Sequence, residues 1–138
     1  MTRSAAESAA ALVADYYAAF NRGDRAAMLA LLAEDVAHDL NQGAREVGRA
    51  AFAAFMARMD ASYRERLEDV VVMASADGTR AAAEYVVHGI YHHTDAGLPE
   101  ARGQAYVLPG GAFFALRDGR IARVSNYYNL EDWIAQVR

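Results

Sequence analysis

Cysteine is absent from all 138 residues. Its absence removes disulfides, thiolate nucleophiles and cysteine-based zinc sites from the chain's chemistry. Nothing in the composition therefore calls for an oxidising compartment. A surplus of basic charge is missing too: 14 Lys and Arg stand against 18 Asp and Glu, a formal net charge of −4. A nucleic-acid binder needs a basic face, because neutralising phosphates supplies most of its affinity. The arginines here are scattered among acids, so no nucleic-acid partner is expected. No apolar run approaches the roughly 20 residues of a membrane span. The opening segment, Met1 to Glu7, carries an acid where a secretory signal would be apolar. A cytoplasmic address without membrane contact is the expectation. Internal repeats, low-complexity tracts and linkers are also lacking. What remains is one domain over residues 1–138, with 54% hydrophobic residues to build its core.

The first 60 or so residues carry helical periodicity. Ala9, Leu12, Val13, Tyr16 and Phe20 recur at three- and four-residue steps and form one apolar stripe. Asn21 to Asp24 then punctuates the chain, Gly23 suiting a helix C-terminus and Asp24 an N-cap. Met28, Leu29, Leu31 and Leu32 give a second, short helix its buried side. Asp35 to Asn41 predicts a short strand, and Gly48 to Ser62 a third helix with Phe52, Phe55, Met56 and Met59 on one side.

Beyond Ser62 the pattern changes to strands. Leu67 to Ser75 is rich in Val, and Asp77-Gly78 is a hairpin signal. Arg80 to His92 alternates. Ala101 to Leu108 and Ala112 to Leu116 form one strand interrupted by Pro109-Gly110-Gly111, where a bulge or bend is expected. Asp118-Gly119 marks another hairpin, Ile121 to Tyr128 the last long strand, and Leu130 to Val137 a terminal helix. Helices first and a meander of long strands afterwards predict an α+β domain with its helices on one sheet face. A long antiparallel sheet bent around a helix leaves a concave apolar cavity, the default ligand site.

Period two along Arg80 to His92 puts Ala82, Glu84, Val86, His88 and Ile90 on one face. If that face is the cavity side, Glu84 and His88 lie two pleats apart among apolar neighbours. There a carboxylate's pKa would rise, and the imidazole could exchange protons with it. Alternatively they form a satisfied buried pair or, turned the other way, a solvent pair. Asn126 and Tyr128 share one face of the last strand and are candidate hydrogen-bonding groups. Phe55, Met56 and Phe114 are candidate apolar walls, or simply core. His88, His92 and His93 cluster without metal-ligand spacing, so neither metal nor cofactor is expected.

Several segments together resemble a known family: Tyr16-Tyr-Ala-Ala-Phe-Asn-Arg-Gly-Asp24, Leu31-Leu-Ala-Glu-Asp-Val36, Val47-Gly-Arg-Ala-Ala-Phe52, Val87-His-Gly-Ile-Tyr91, Phe113 to Ile121 and Asn126-Tyr-Tyr-Asn129. In this order, and over nearly the whole chain, they are similar to the ketosteroid-isomerase and SnoaL-like branch of the nuclear transport factor 2-like superfamily. The resemblance implies a cone, a curved mixed sheet wrapped around the first long helix. It also implies a homodimer formed through the outer sheet face. The fold hosts isomerases, cyclases, hydrolases, dehydratases and non-catalytic binders, so fold alone does not fix function.

Carried over residue by residue, the resemblance sets Tyr16 at the family's oxyanion-donating tyrosine. Alternatively its ring is simply packed in the core. Counting forward from Asp35 places Leu40 at the catalytic base, and counting back from Gly48 places Asp39 there. Whichever of His38, Asp39 and Leu40 faces inward decides whether a carboxylate or an imidazole moves the proton. The family's second donor falls on Ala112, which donates nothing. Asn126 stands where the SnoaL-like cyclases carry an acid, and Asn does not titrate. The expectation is a cofactor-free acid–base enzyme (isomerase, cyclase or hydratase) acting on a small apolar, carbonyl-bearing or polycyclic ligand. Its rival is a non-catalytic binding or dimerisation module of the same fold.

Overall fold

The structure, a computed structural model, describes residues 2–138. Ser4 opens helix α1 (Ala5–Asn21) with a capping box: its hydroxyl accepts from the Glu7 backbone at 3.1 Å, and the Glu7 carboxylate accepts from the Ser4 backbone at 3.4 Å. Gly23 takes a positive φ of 74° just beyond the helix, and Asp24 caps the short α2 (Arg25–Ala30) by accepting from the Ala27 backbone at 3.0 Å. Strand β1 (Leu32–Asp39) follows directly. Leu32, expected in the second helix, instead starts this strand and is fully buried. A three-residue β2 (Arg45–Val47), too short to leave a periodic signal, folds back on β1 before α3 (Arg49–Ser62).

Four long strands succeed α3: β3 (Tyr63–Ala74), β4 (Arg80–Tyr91), β5 (Gln104–Arg117) and β6 (Arg120–Tyr128), with α4 (Leu130–Val137) at the end. They join the first two in one curved, open, mixed sheet of order β2-β1-β6-β5-β4-β3, in which only β1 and β6 run parallel. α1 lies across its concave side. Val13, Tyr16 and Tyr17 from the helix pack with Phe114, Leu67 and Val87 from the strands. The edge strand β3 is tied to α1 by Asn21, whose side chain donates to the Leu67 carbonyl at 2.9 Å and accepts from the Leu67 amide at 2.8 Å. At Leu67 the backbone groups that the edge would otherwise leave unpaired are thereby satisfied.

The expected break at Pro109-Gly110-Gly111 is absent. β5 runs through it in unbroken register with Val86, Tyr85 and Glu84 of β4. Proline is tolerated because the Val107 amide and carbonyl point away from β4 and pair with the Gln136 side chain at 3.0 and 2.8 Å. Two residues on, the Pro109 nitrogen points the same way, past the end of β6, so no ladder bond is lost. The pairing slips elsewhere, between β5 and β6 at Ala115/Leu116, and by a bulge on β3. Asp69 adopts a φ of 54° where the pairing with β4 slips between Glu68 and Val71. It switches the inward set from Tyr63, Glu65 and Leu67 to Val70, Val72 and Ala74.

Among the described residues, no helix is long and apolar enough to cross a membrane.

Candidate functional site

The concave sheet face, α1, α3 and α4 enclose a cavity of about 450 Å³. Its walls are largely apolar, with Phe20, Phe52, Phe55, Met56 and Leu108 among them. Polar groups enter from two opposite sides.

At the β1 side stands His38, 1% exposed. Its ring stacks on Phe52 with centroids 4.2 Å apart and meets Phe55 edge-on at 4.6 Å. Nε2 lies 3.1 Å from Asn126 Nδ2, while Nδ1 is buried without a partner. An amide nitrogen at this contact makes Nε2 the acceptor and leaves the ring proton on Nδ1. Burial in the aromatic slot disfavours the imidazolium and holds the His38 pKa below its usual 6.5, although Glu46 and Asp39 pull it upward. The imidazole is therefore neutral near pH 7, the form that can accept a proton.

α1 supplies hydroxyls. Tyr16 and Tyr17 are each 5% exposed and line the cavity, their rings 5.2 Å apart and edge-on. Tyr17 Oη has no hydrogen-bond partner; its ring lies 5.4 Å from that of Tyr85. Burial pushes the pKa of Tyr16 and Tyr17 far up, and that of Tyr85 up to about 12. All three stay protonated and can only donate to, or accept from, a ligand as neutral phenols.

At the β3 side, Glu65 faces inward. Tyr106 Oη donates to Glu65 Oε2 at 2.6 Å, and Tyr63 Oη donates to Asp95 Oδ2 at 2.8 Å. Glu65 is accessible from the cavity but crowded by protein elsewhere. That crowding raises its pKa against the opposing pull of Tyr106 and Arg25. The contact to Tyr106 passes over Gly89, which pairs with Glu65 on one side and with Tyr106 on the other. A Cβ on Gly89 would sit 2.2 Å from the Tyr106 ring. Gly89→Ala is thus expected to destabilise the fold by about 1–3 kcal/mol, as overpacked substitutions do. Urea denaturation checks it.

Residues 13–124 match the profile of the SnoaL-like domain. The chain belongs to the SnoaL-like family. This SnoaL-like domain is 69% identical to a candidate polyketide cyclase from Xanthomonas campestris pv. campestris (TM-score 0.95, covering 98% of this chain and 100% of that one). It is 61% identical to another from Pseudomonas putida (TM-score 0.92, covering 99% and 100%). A candidate ketosteroid isomerase from Kribbella flavida is 25% identical, with a TM-score of 0.66 over 91% of this chain and 81% of that one. These neighbours place the α+β cone among nuclear transport factor 2-like folds. No curated protein matches the chain.

In this SnoaL-like domain the polar strand end is oriented unambiguously. His38 points into the cavity, Leu40 lines it just beyond the strand, and Asp39 points out. Arg45 donates to the Asp39 carboxylate at 2.6 and 3.0 Å, and Ser125 Oγ donates at 2.6 Å. Chiefly the Arg45 contact, then Ser125, holds the Asp39 pKa down to about 2. A carboxylate that acidic, and outside the cavity, is no general base; that expectation is corrected.

Glu84 and His88 are corrected as well. The inward row of β4 is Ala81, Ala83, Tyr85, Val87, Gly89 and Tyr91, and the other parity faces outward. His88 Nε2 lies 2.8 Å from Glu68 Oε2 on that outer face, and Glu84 is exposed. The charged parity goes to water, and the uncharged one packs. Phe114 is fully buried behind Tyr16 and Tyr17, at 6.0 and 5.9 Å, and does not line the cavity; Phe55 and Met56 do. Asn126 lines it, as does Tyr128, which is 42% exposed at its edge. Ala112 is buried and supplies no donor.

Tyr17, Tyr85, Glu65 and Tyr106 escaped sequence reasoning. The charge-free row of β4 was the available signal for Tyr85. Among the described residues no three His, Asp or Glu side chains converge as a metal-ligand set.

Proposed function

We propose that this SnoaL-like protein is a cofactor-free acid–base enzyme that binds a neutral, apolar, carbonyl-bearing or polycyclic molecule in the cone. Isomerisation, cyclisation and hydration or dehydration all fit this chemistry. One observation carries the proposal: a buried histidine, hydrogen-bonded to Asn126 and stacked on Phe52, set in the wall of the cavity. A ligand carbonyl that takes the Asn126 N–H as its own donor frees His38 Nε2. Nε2 then accepts a proton from the carbon next to the carbonyl, and the electron pair moves onto oxygen as an enolate. In this reading Tyr16 and Tyr17, which line the same cavity, donate to that oxygen. Return of the proton to a different carbon completes an isomerisation. The names borne by the Xanthomonas and Pseudomonas relatives favour ring-forming chemistry of the same kind.

The test is enzyme-dependent exchange of the acidic C–H of ring ketones such as 2-tetralone in D₂O, followed by NMR. Exchange that depends on His38 supports the proposal, and none above the rate in buffer overturns it. Tyr16→Phe is expected to lower the exchange rate by about 10²–10³, the usual loss for one oxyanion donor.

The second reading, a non-catalytic small-molecule-binding module, draws on the near-complete covering of His38, 1% exposed. There His38 would serve only to orient the Asn126 amide towards a ligand oxygen. Ligand binding without any exchange would establish it.

The partner proposed alongside the ligand is a second copy of the chain. The outer sheet face carries Phe113, Tyr127, Val107, Met73 and Val71, 53%, 56%, 51%, 49% and 48% exposed. Phe113 and Tyr127 lie edge-on at 5.6 Å at its centre. A cluster of this kind is unusual on a monomer's surface. Phe113→Asp with Tyr127→Asp is expected to turn a dimer into a folded monomer, as read by light scattering. A cytoplasmic address completes the proposal, consistent with a chain that has no cysteine to oxidise.

A further inference from the structure

Glu65 is the unexplained residue of the cavity. It is exposed, yet it lines the cavity from the inward face of an edge strand. β4 opposes it with Gly89, and β5 opposes Gly89 with Tyr106, so the three form one row across the sheet. Only the missing side chain of Gly89 lets the Tyr106 ring lie flat across β4 and reach Glu65 Oε2 at 2.6 Å. Tyr106 itself is 2% exposed, so its position is fixed by packing. One oxygen of the carboxylate is thus pinned. Oε1 accepts no hydrogen bond from the described residues, and the residue lines the cavity. The cation on that side, Arg25, is engaged by both oxygens of Asp60, at 2.8 and 3.0 Å.

The two polar sides ask for different groups. The His38 side offers the Asn126 N–H, which suits a carbonyl oxygen, and α1 adds the Tyr16 and Tyr17 hydroxyls to the same cavity. The Glu65 side offers an acceptor backed by a fixed donor, which suits a hydroxyl. β1 and β3 stand four strand positions apart in the sheet, so one small group cannot serve both. Resting on the cavity assignment made above, the geometry points to Glu65 as the anchor for a hydroxyl at the distal end of the ligand, with Tyr106 and Gly89 as its positioning residues. The ligand class is therefore an elongated aromatic or polycyclic ketone bearing a phenol or alcohol at the end away from its carbonyl. Anions are disfavoured at that end, because Glu65 and Asp95 have only neutral tyrosine hydroxyls as hydrogen-bond partners there.

The probes are 6-hydroxy-2-acetonaphthone, its 6-methoxy ether and unsubstituted 2-acetonaphthone, titrated calorimetrically against the full chain. The wild type is expected to bind the hydroxy compound about 10-fold or more tighter than the other two, the usual worth of a hydrogen bond to a charged group. Glu65→Leu should erase this preference, Glu65→Gln should retain part of it, and Tyr106→Phe should weaken it. Thermal melting confirms that each variant is folded. His38→Asn should leave the preference intact. Equal binding of the three probes by the wild type, or a preference that survives Glu65→Leu, overturns the assignment. Neither result touches His38-dependent proton exchange, so the anchor and the acid–base proposal fail separately. Binding of none of the probes overturns the anchor together with the proposed ligand class.

Discussion

Replacing His38 by Gln is expected to lower the rate of ketone C–H exchange by about 10²–10⁴, the range that one general base contributes. Gln keeps a polar side chain beside Asn126 but has no titrating nitrogen. The loss should appear in kcat far more than in KM, because the apolar walls that hold the ring remain. Asp39→Asn is the matched control. It removes a neighbouring charge on the other face of the same strand and should leave the rate close to wild type. The imidazole also packs against Phe52 and Phe55, so the variant's melting temperature must be measured beside its rate. A folded variant with unchanged exchange removes His38 from the mechanism and leaves the binding-module reading in its place.

The pH dependence has a definite sign. His38 is neutral in the folded chain and has its pKa depressed below 6.5, chiefly by burial. Below pH 6.5 the unfolded chain takes up a proton that the folded chain resists. The associated stability is present in full above that pH. It is lost as pH falls from there through the lower folded value. The acid limb of the exchange rate should therefore lie below pH 6.5. In His38→Gln both that limb and the matching loss of stability should vanish.

Helices α1 and α3 and the strand-rich second half were legible because their apolar periods are long and unmixed. The order of those segments also carried the family. What escaped was decided by single-residue parity. The end of β1 reads His38-Asp39 and runs on into Leu40, three residues any of which could face inward. Its orientation is set by the parallel pairing with β6, His38 opposite Val124, which no local pattern encodes. On β4 both parities are apolar enough to pack. The choice fell to the row without charge, and the titratable pair Glu84 and His88 went to the outer face. Glu65 was invisible for another reason. It is an acid in Arg64-Glu65-Arg66-Leu67-Glu68, a run that reads as solvated, and only Gly89 and Tyr106 on two other strands give it a role. The Asp69 bulge compounds this, since period two counted across β3 changes face at that point.

Trp133→Ala is expected to cost about 3–5 kcal/mol, as truncating a buried aromatic does. Trp133, on α4, is 4% exposed, with ring centroids 5.8, 4.9 and 5.9 Å from Tyr63, Tyr91 and Tyr106. Each of these tyrosines fixes a different part of the β3 side. Tyr63 holds Asp95. Tyr91 donates to the Pro99 carbonyl at 2.6 Å and accepts from the Asp95 amide at 2.9 Å, so it pins the loop between β4 and β5. Tyr106 holds Glu65. Removing the indole leaves all three rings unsupported on one side, while α4 keeps its Asn129 cap and its Gln136 contacts to Val107. Trp133→Phe fills most of the space and should cost only about 1–2 kcal/mol. Urea denaturation followed by circular dichroism measures both. Because Trp133 is the sole tryptophan, the wild type's own fluorescence reports whether α4 leaves the sheet in the same transition. If the Ala variant loses less than about 1 kcal/mol, or if fluorescence changes well before the global transition, α4 is a detachable cover, and the β3 side of the cavity does not owe its geometry to it.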